Sequence, residues 1–244
     1  MSELGLDYST TWGRRYSARF VRHVIQHFLF RPYLQWAAHL EVRGLENLEG
    51  SRPVIFTANH ASHLDTALVL SALPAKIRNR TVVAAAMDNF FMDRRTARRT
   101  VLMFNAIPVD RHKVNRRSAQ IALDLVQDHW NLLIYPEGGR TPDGMLHEFK
   151  GGAAYLAERA GASVIPTYVH ESGFLQGPKW AKAPMYVDVP RRRRHRVIVA
   201  FDKPLRSDEG ESIRHFNARI EAAVEQLGRE VSGNPDYGIV RDSN

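Results

Sequence analysis

The chain has 244 residues, 44% of them hydrophobic and 25% charged, which suits one large α/β domain, or one domain with a small appendage, and excludes gross disorder. Lys and Arg number 34 against 26 Asp and Glu, a formal charge of +8, so the composition favours an anionic partner: nucleic acid, an anionic membrane face or a phosphorylated substrate. Cysteine is absent, which rules out disulfides, thiolate metal sites and a cysteine-linked acyl intermediate, and fits a reducing compartment.

Residues 1 to 10 read as a loose terminus. Glu3 and Asp7 do not make the basic start and apolar run of a cleavable signal, and no stretch approaches the roughly 20 apolar residues of a spanning helix, so a cytoplasmic protein is the default expectation. From Thr11 to about His39, Trp12, Tyr16, Phe20, Val24 and Phe28 recur at four-residue intervals among Arg14, Arg15, Arg19, Arg22 and Arg31. This pattern predicts a basic amphipathic helix, interrupted at Pro32 and resumed through Trp36. Rings at the headgroup boundary and guanidinium groups on anionic lipid are what an interfacial helix uses; a helix packed on the domain with a solvated basic face is the alternative.

Glu41–Gly44 predicts a short strand and turn, and Val54–Ala58 a covered strand. Asn59-His60-Ala61-Ser62-His63-Leu64-Asp65 then joins that strand to a helix, which the Ser62-x-x-Asp65 capping pattern starts near Ser62 and Pro74 ends. His60 sits in the strand-to-helix turn, at the positive end of the helix, where an imidazole tends to stay neutral as a general base requires. Asp65 is placed to accept a hydrogen bond from one ring nitrogen of His60 and leave the other facing a substrate hydroxyl. A capping Asp65 beside a turn His60 is the plain alternative. His60, His63 and Asp65 are also metal-ligand types, but no comparable second His/Asp/Glu cluster completes a shell, so no metal is expected.

Arg80–Ala86 predicts another buried strand. The apolar cluster at Phe90, Phe91 and Met92 leads into Arg94, Arg95, Arg98 and Arg99, which read as a solvated helix face, a surface-binding element or a phosphate lip. Ile107–Arg111 is a short strand ending in a charge pair, residues 116–129 form an amphipathic helix, and Asn131–Tyr135 is a strand closed by the loop Pro136–Thr141. In that loop Gly138 and Gly139 offer backbone amides and Arg140 a fork of donors, a combination suited to phosphate or carboxylate. Lys150-Gly151-Gly152 opens a helix to Ala160 whose N-terminal end is a second anion site, with spacing unlike a P-loop.

Ser163–Val169 is a strand in which Pro166 indicates an edge or a bulge. A loop carrying Trp180, Met185, Lys179 and Lys182 and the basic run Arg191–Arg194 precede a strand His195–Phe201. A final helix covers about Ser207 to Glu230, and residues 232–244 should fray. Strands alternating with helices predict an α/β fold with a mainly parallel central sheet covered by helices on both faces. The expected division is an N-terminal amphipathic helical segment for a membrane surface over 1–40, a catalytic domain over 41–230 and a flexible tail over 231–244.

The His60/Asp65 motif, Asn105–Arg111, Tyr135–Thr141 and Val164-Ile165-Pro166 occur in the order of four sequence blocks, and over about residues 41 to 202 they resemble the glycerophospholipid acyltransferases, within them the bacterial 1-acylglycerol-3-phosphate acyltransferases. The resemblance implies transfer of an acyl group from acyl-CoA or acyl carrier protein, as co-substrate rather than cofactor, to the hydroxyl of a lysophospholipid acceptor, giving phosphatidic acid. It implies His60 as base, Asp65 as its orienting partner, and Arg111, Glu137, Gly138 and Arg140 lining the acceptor phosphate site. It also implies a peripheral protein at the cytoplasmic face of the membrane with no nucleic-acid partner. Two positions depart from the pattern, Asn105 where the family has Gly and Gly139 where it more often has Thr, which bears on the acceptor pocket. Another lysolipid, a lipid-linked alcohol as acceptor and a metal-dependent hydrolase using His60, His63 and Asp65 are the alternatives. Aromatic residues are not interleaved with the downstream arginines as a nucleic-acid stacking platform needs.

Overall fold

The computed structural model describes residues 4–50, 53–111, 115–141, 145–175 and 195–240. The expectations on Lys179, Trp180, Lys182, Met185 and Arg191–Arg194 therefore lie outside the described residues. Helix α1 (Tyr16–Ile25) passes through one wide turn, Gln26–Phe30, into α2 (Arg31–Ala37). There follow β1 (Ala38–Arg43), β2 (Val54–Ala58), α3 (Asp65–Ala72), α4 (Ala75–Arg78), β3 (Thr81–Ala86), α5 (Met87–Phe90), α6 (Arg94–Phe104), β4 (Ala106–Val109) and α7 (Arg116–Gln127). Then come β5 (Asn131–Ile134), β6 (Leu146–His147), α8 (Gly152–Ala160), β7 (Ser163–His170), β8 (His195–Phe201), α9 (Ile213–Ser232) and β9 (Ile239–Val240).

Seven strands form one sheet in the order β1-β8-β7-β2-β5-β3-β4. The five from β7 to β4 run parallel, while β8 is antiparallel to β7 and carries β1 with it in parallel. Alternation along the strands divides the interior into two layers. Phe56, Val83, Leu133 and Ile165 pack with Phe30, Leu34 and Leu68 from α2 and α3 and the turn before α2. Ile55, Val82, Leu132 and Val164 pack with Val126, Leu156, Phe216 and Val224 from α7, α8 and α9. This is the mainly parallel, doubly covered sheet that the alternating pattern predicts.

Of the edge or bulge that Pro166 indicates the structure has the bulge, and two other local expectations need correction. Pro166 lies in an interior strand. Val164 pairs with Leu205 and Thr167 with Phe201, so residues 202–204 carry one extra residue opposite 165–166, and the missing N–H of Pro166 falls at that bulge rather than in a regular ladder. Helix α9 begins at Ile213, because Ser212 Oγ accepts from His215 N (3.2 Å) and Gly210 turns the chain just before it at φ +76°. The segment after α9 does not fray over residues 235–240: Tyr237 is buried in a notch that Gly228 leaves open, Arg229 Nε donates to Tyr237 O (2.8 Å), and β9 pairs with β6.

Asn105 caps α6 in the left-handed region (φ 55°) and donates through Nδ2 to Thr81 O (3.0 Å). It sits where β3 and β4 begin, the opposite end of the sheet from His60, so this departure from the family pattern is a helix-termination feature and does not touch the pocket.

The N-terminal segment stays helical through Pro32, whose missing N–H is absorbed by the wide turn directly before it. Its aromatic stripe points outward: Tyr16 is 82% exposed, Phe20 58%, Phe28 66% and Trp36 62%. The inward face instead carries Ala18, Arg22, Gln26 and Phe30. Arg22 donates from Nη2 to Gly13 O (2.7 Å) and Val101 O (3.0 Å) and from Nε to Leu102 O (2.9 Å), and Gln26 Nε2 donates to Met103 O (2.9 Å). A buried guanidinium is tolerable there because it meets the carbonyl end of α6, where the helix dipole is negative. Burial, with smaller contributions from Arg19 and Arg14, pushes the Arg22 pKa down to about 10. Among the described residues no helix is long and apolar enough to cross a membrane.

Replacing Arg22 with Met keeps an apolar stem but strands three carbonyls. Arg22→Met should lower the unfolding free energy by about 2–4 kcal/mol in urea titration, while Arg15→Met on the exposed face should stay within about 0.5 kcal/mol of the parent.

Candidate active site

In open parallel sheets the turns beyond the carboxyl ends of the strands collect the functional groups, because the backbone there is released from pairing and helix N-termini converge. The turns after β2, β4 and β5 carry His60, Arg111 and the 135–141 loop, so three separate sequence blocks meet at one edge.

Asp65 begins α3 and its side chain is fully buried. Its Oδ2 accepts from His60 Nδ1, from Ala61 N and from Ser62 N, each at 2.8 Å. Since α3 starts at Asp65 and not near Ser62, the capping pattern runs backwards, with the carboxylate reaching to the preceding amides while Ser62 Oγ takes Leu64 N (3.2 Å). A carboxylate oxygen that already takes two amide donors is an acceptor for the ring as well, so Nδ1 of His60 bears a proton toward it, and in the neutral ring the lone pair is on Nε2. The ring lies nearly parallel to Tyr135, centroids 4.1 Å apart, and 20% of the side chain remains exposed toward a cavity of about 1560 Å³. Tyr135 is anchored in turn by Thr66 Oγ1 (3.0 Å), and burial, reinforced by Asp65, raises its phenol well above the ordinary range, so it is a neutral platform.

The backbone of His60 is gripped on both sides. Its N–H donates to Glu137 Oε1 (2.8 Å) and its carbonyl accepts from Thr141 N (2.8 Å) and Thr141 Oγ1 (3.2 Å). Asn59, one residue earlier, locks the turn to β7 by exchanging bonds with Val169 (2.7 and 3.1 Å). Glu137 thus does not line the pocket: its second oxygen accepts from His147 N (2.9 Å), and the carboxyl braces two backbone segments. Burial, opposed by these two amides, raises the Glu137 pKa to about 7.

Arg111, Gly138 and Arg140 do border the cavity, together with His63, Lys150 and Gly151. Arg111 reaches Asp88 through Nε (3.2 Å) and Nη2 (2.7 Å) instead of its neighbour Asp110, and Lys150 Nζ donates to Arg111 O (2.8 Å). Gly138 holds φ +76° with the Lys150 side chain where a Cβ would stand, so glycine is required; Gly139 has open space at that position and a Thr would fit. The Gly138 amide is spent on Tyr135 O (3.1 Å) and is not an anion donor. In the His60 turn the amides of residues 60, 61, 62, 64 and 65 are likewise engaged, leaving His63 N as the one without a partner among the described residues. Among those residues no three His, Asp or Glu side chains are placed to hold a metal ion. Burial, then Arg140 and His60, lowers the His63 pKa.

Tyr135, Thr141, Asn59 and Asp88 were not legible as site residues. Position was the available signal for Tyr135, the last residue before the Pro136 turn at a strand's carboxyl end.

Because the Glu137 carboxyl titrates near 7 when folded and near 4.5 when unfolded, it contributes stability below about pH 4.5 that is lost as pH rises through about 7. The stability advantage of the parent over Glu137→Gln should therefore shrink across that window and level off above it, as followed by urea midpoints at constant ionic strength.

A family model described as acyltransferase matches residues 39–170. Over 201 residues the chain is 26% identical to a 1-acyl-sn-glycerol-3-phosphate acyltransferase of Pseudomonas aeruginosa, covering 79% of this chain and 70% of that protein. It is 28% identical over 148 residues to the Homo sapiens 1-acyl-sn-glycerol-3-phosphate acyltransferase beta, covering 59% of this chain and 51%, about half, of that relative. The fold is that of the 1-acyl-sn-glycerophosphate (LPA) acyltransferase PlsC from Thermotoga maritima, with a TM-score of 0.68 at 19% identity over 93% of this chain and 84% of that one. The family match runs from β1 to the end of β7 and takes in the His60 turn, the Arg111 strand and the 135–141 loop: the chain belongs to the acyltransferase family.

Proposed function

We propose that the protein transfers a fatty acyl group from acyl-CoA or acyl carrier protein to the free hydroxyl of a lysophospholipid, 1-acylglycerol-3-phosphate in the first instance, giving phosphatidic acid. The observation that carries this is the His60–Asp65 pair at the cavity, with Nδ1 committed to the carboxylate and Nε2 left for a substrate proton. Nε2 removes the acceptor hydroxyl proton as its oxygen attacks the thioester carbonyl; the carbon–sulfur bond then breaks and the departing thiolate takes the proton from the imidazolium. No protein nucleophile takes part. Arg111, Arg140 and Lys150, all bordering the same cavity, suit the acceptor phosphate. The turn amides are mostly engaged internally, so oxyanion stabilisation by this turn falls to His63 N.

The protein acts peripherally on a membrane. Supporting this are the outward rings of Tyr16, Phe20, Phe28 and Trp36 and the net charge of +8, which suits the anionic cytoplasmic leaflet.

Purified protein with anionic liposomes, palmitoyl-CoA and lysophosphatidic acid should release free thiol only when the acceptor is present, and His60→Ala should reduce that rate by about 10²–10⁴-fold. Wild-type turnover by the variant would sink the reading, and acceptor-independent release would make the protein a thioesterase. Phe20→Ser with Phe28→Ser should cut liposome partitioning in flotation by about tenfold or more, leaving thermal unfolding within a few degrees of the parent.

A further inference from the structure

The cavity beneath His60 does not stay on one side of the sheet. Successive residues of β3 face opposite layers: Val83 and Ala85 pack on the side of α2, α3 and α6, Val82 and Ala84 on the side of α7 and α8. Yet Val83, Ala84, Ala85 and Ala86 all border the cavity, which therefore straddles the carboxyl end of this strand. One limb is walled by Phe30, Met103 and Phe104 and the other by Ala122, Leu123 and Leu156. These stretches are apolar, while Arg99 and Thr100 of α6 and Arg116, Ser118 and Gln120 of α7 also border the cavity, and Arg111, Arg140 and His63 border it from the turns beyond the strands. The three alanines that end β3 leave open the space larger side chains would fill. At about 1560 Å³ the cavity exceeds the roughly 300–1,000 Å³ of an ordinary single-ligand pocket.

We propose that the two limbs hold two different fatty chains at once, the acyl group of the thioester donor on one face of β3 and the chain already present on the lysolipid on the other, their reacting ends meeting at His60. This rests on the acyltransferase reading above. Its consequence is that neighbouring residues answer to different substrates: bulk at Ala84 shortens one limb, bulk at Ala85 the other.

Ala84→Leu and Ala85→Leu are to be assayed with donor chain length varied at one acceptor, then with acceptor chain length varied at one donor. Equilibrium binding of non-transferable thioether analogues of acyl-CoA, and of lysophosphatidic acid of matched lengths, is measured alongside. Each variant should lose about tenfold in kcat/KM and in affinity for the long chains of one substrate only, and the two variants should differ in which. If both shift the same substrate's profile, or neither shifts any, the division is overturned. Ala84→Val and Ala85→Val carry the same comparison should a Leu variant fail to fold. Absent transfer with binding that still splits between the variants would overturn the acyltransferase reading and leave the two-limb division standing.

Discussion

Asp65 Oδ2 takes three hydrogen bonds, from one imidazole and two backbone amides, inside a fully buried pocket. A buried carboxylate needs donors, and these three supply them to Oδ2 while binding the His60 ring to the turn that carries it; Oδ1 is buried without a hydrogen-bond partner among the described residues. Were that oxygen absent, two amides and a ring nitrogen would lose their acceptor together, so turn geometry and ring orientation are one property. The remaining features of the site either support this turn or use the ring face and nitrogen it leaves available.

Glu137 is the clearest support. Its block resembles a substrate-binding block, yet its oxygens hold the His60 amide in the turn after β2 and the His147 amide of β6. Thr141 of the same loop takes the His60 carbonyl. A residue held through both of its flanking peptide groups has little freedom to rotate, so the proposed base is preorganised before substrate arrives. Division of labour within the loop follows: Glu137 and Thr141 brace, Gly138 makes the bend with Lys150 laid against it, and Arg140 borders the cavity.

The N-terminal segment inverts the usual amphipathic logic. Large rings face outward and an arginine faces inward, because the inward neighbour is the carbonyl end of α6, a site for a cation. That leaves the apolar stripe uncovered, and an uncovered stripe of this size calls for a lipid or protein surface.

Much of the fold was legible. Val54–Ala58 is a strand at the predicted limits, the Pro74 stop holds, and the alternation of strands and helices yields the doubly covered sheet, because burial on two faces forces continuous apolar runs of strand length. His60 with Asp65 was legible because five residues of one turn keep the two in reach whatever the rest of the chain does. Bonds between blocks distant in sequence were not. Glu137 meets His60 across 77 residues, Arg111 meets Asp88 across 23, and Asn59 meets Val169 across 110. Which face of the N-terminal helix turns inward was equally out of reach, since an arginine reads as exposed until a helix end is placed beside it. The local pattern of the chain thus determined most of the main-sheet strands and long helices, their order and the His60–Asp65 pairing, all set by interactions within a few residues. The register of the sheet alone decided which carboxyl braces, which cations share the cavity and where its two limbs run, because those depend on strand ends that only pairing brings together.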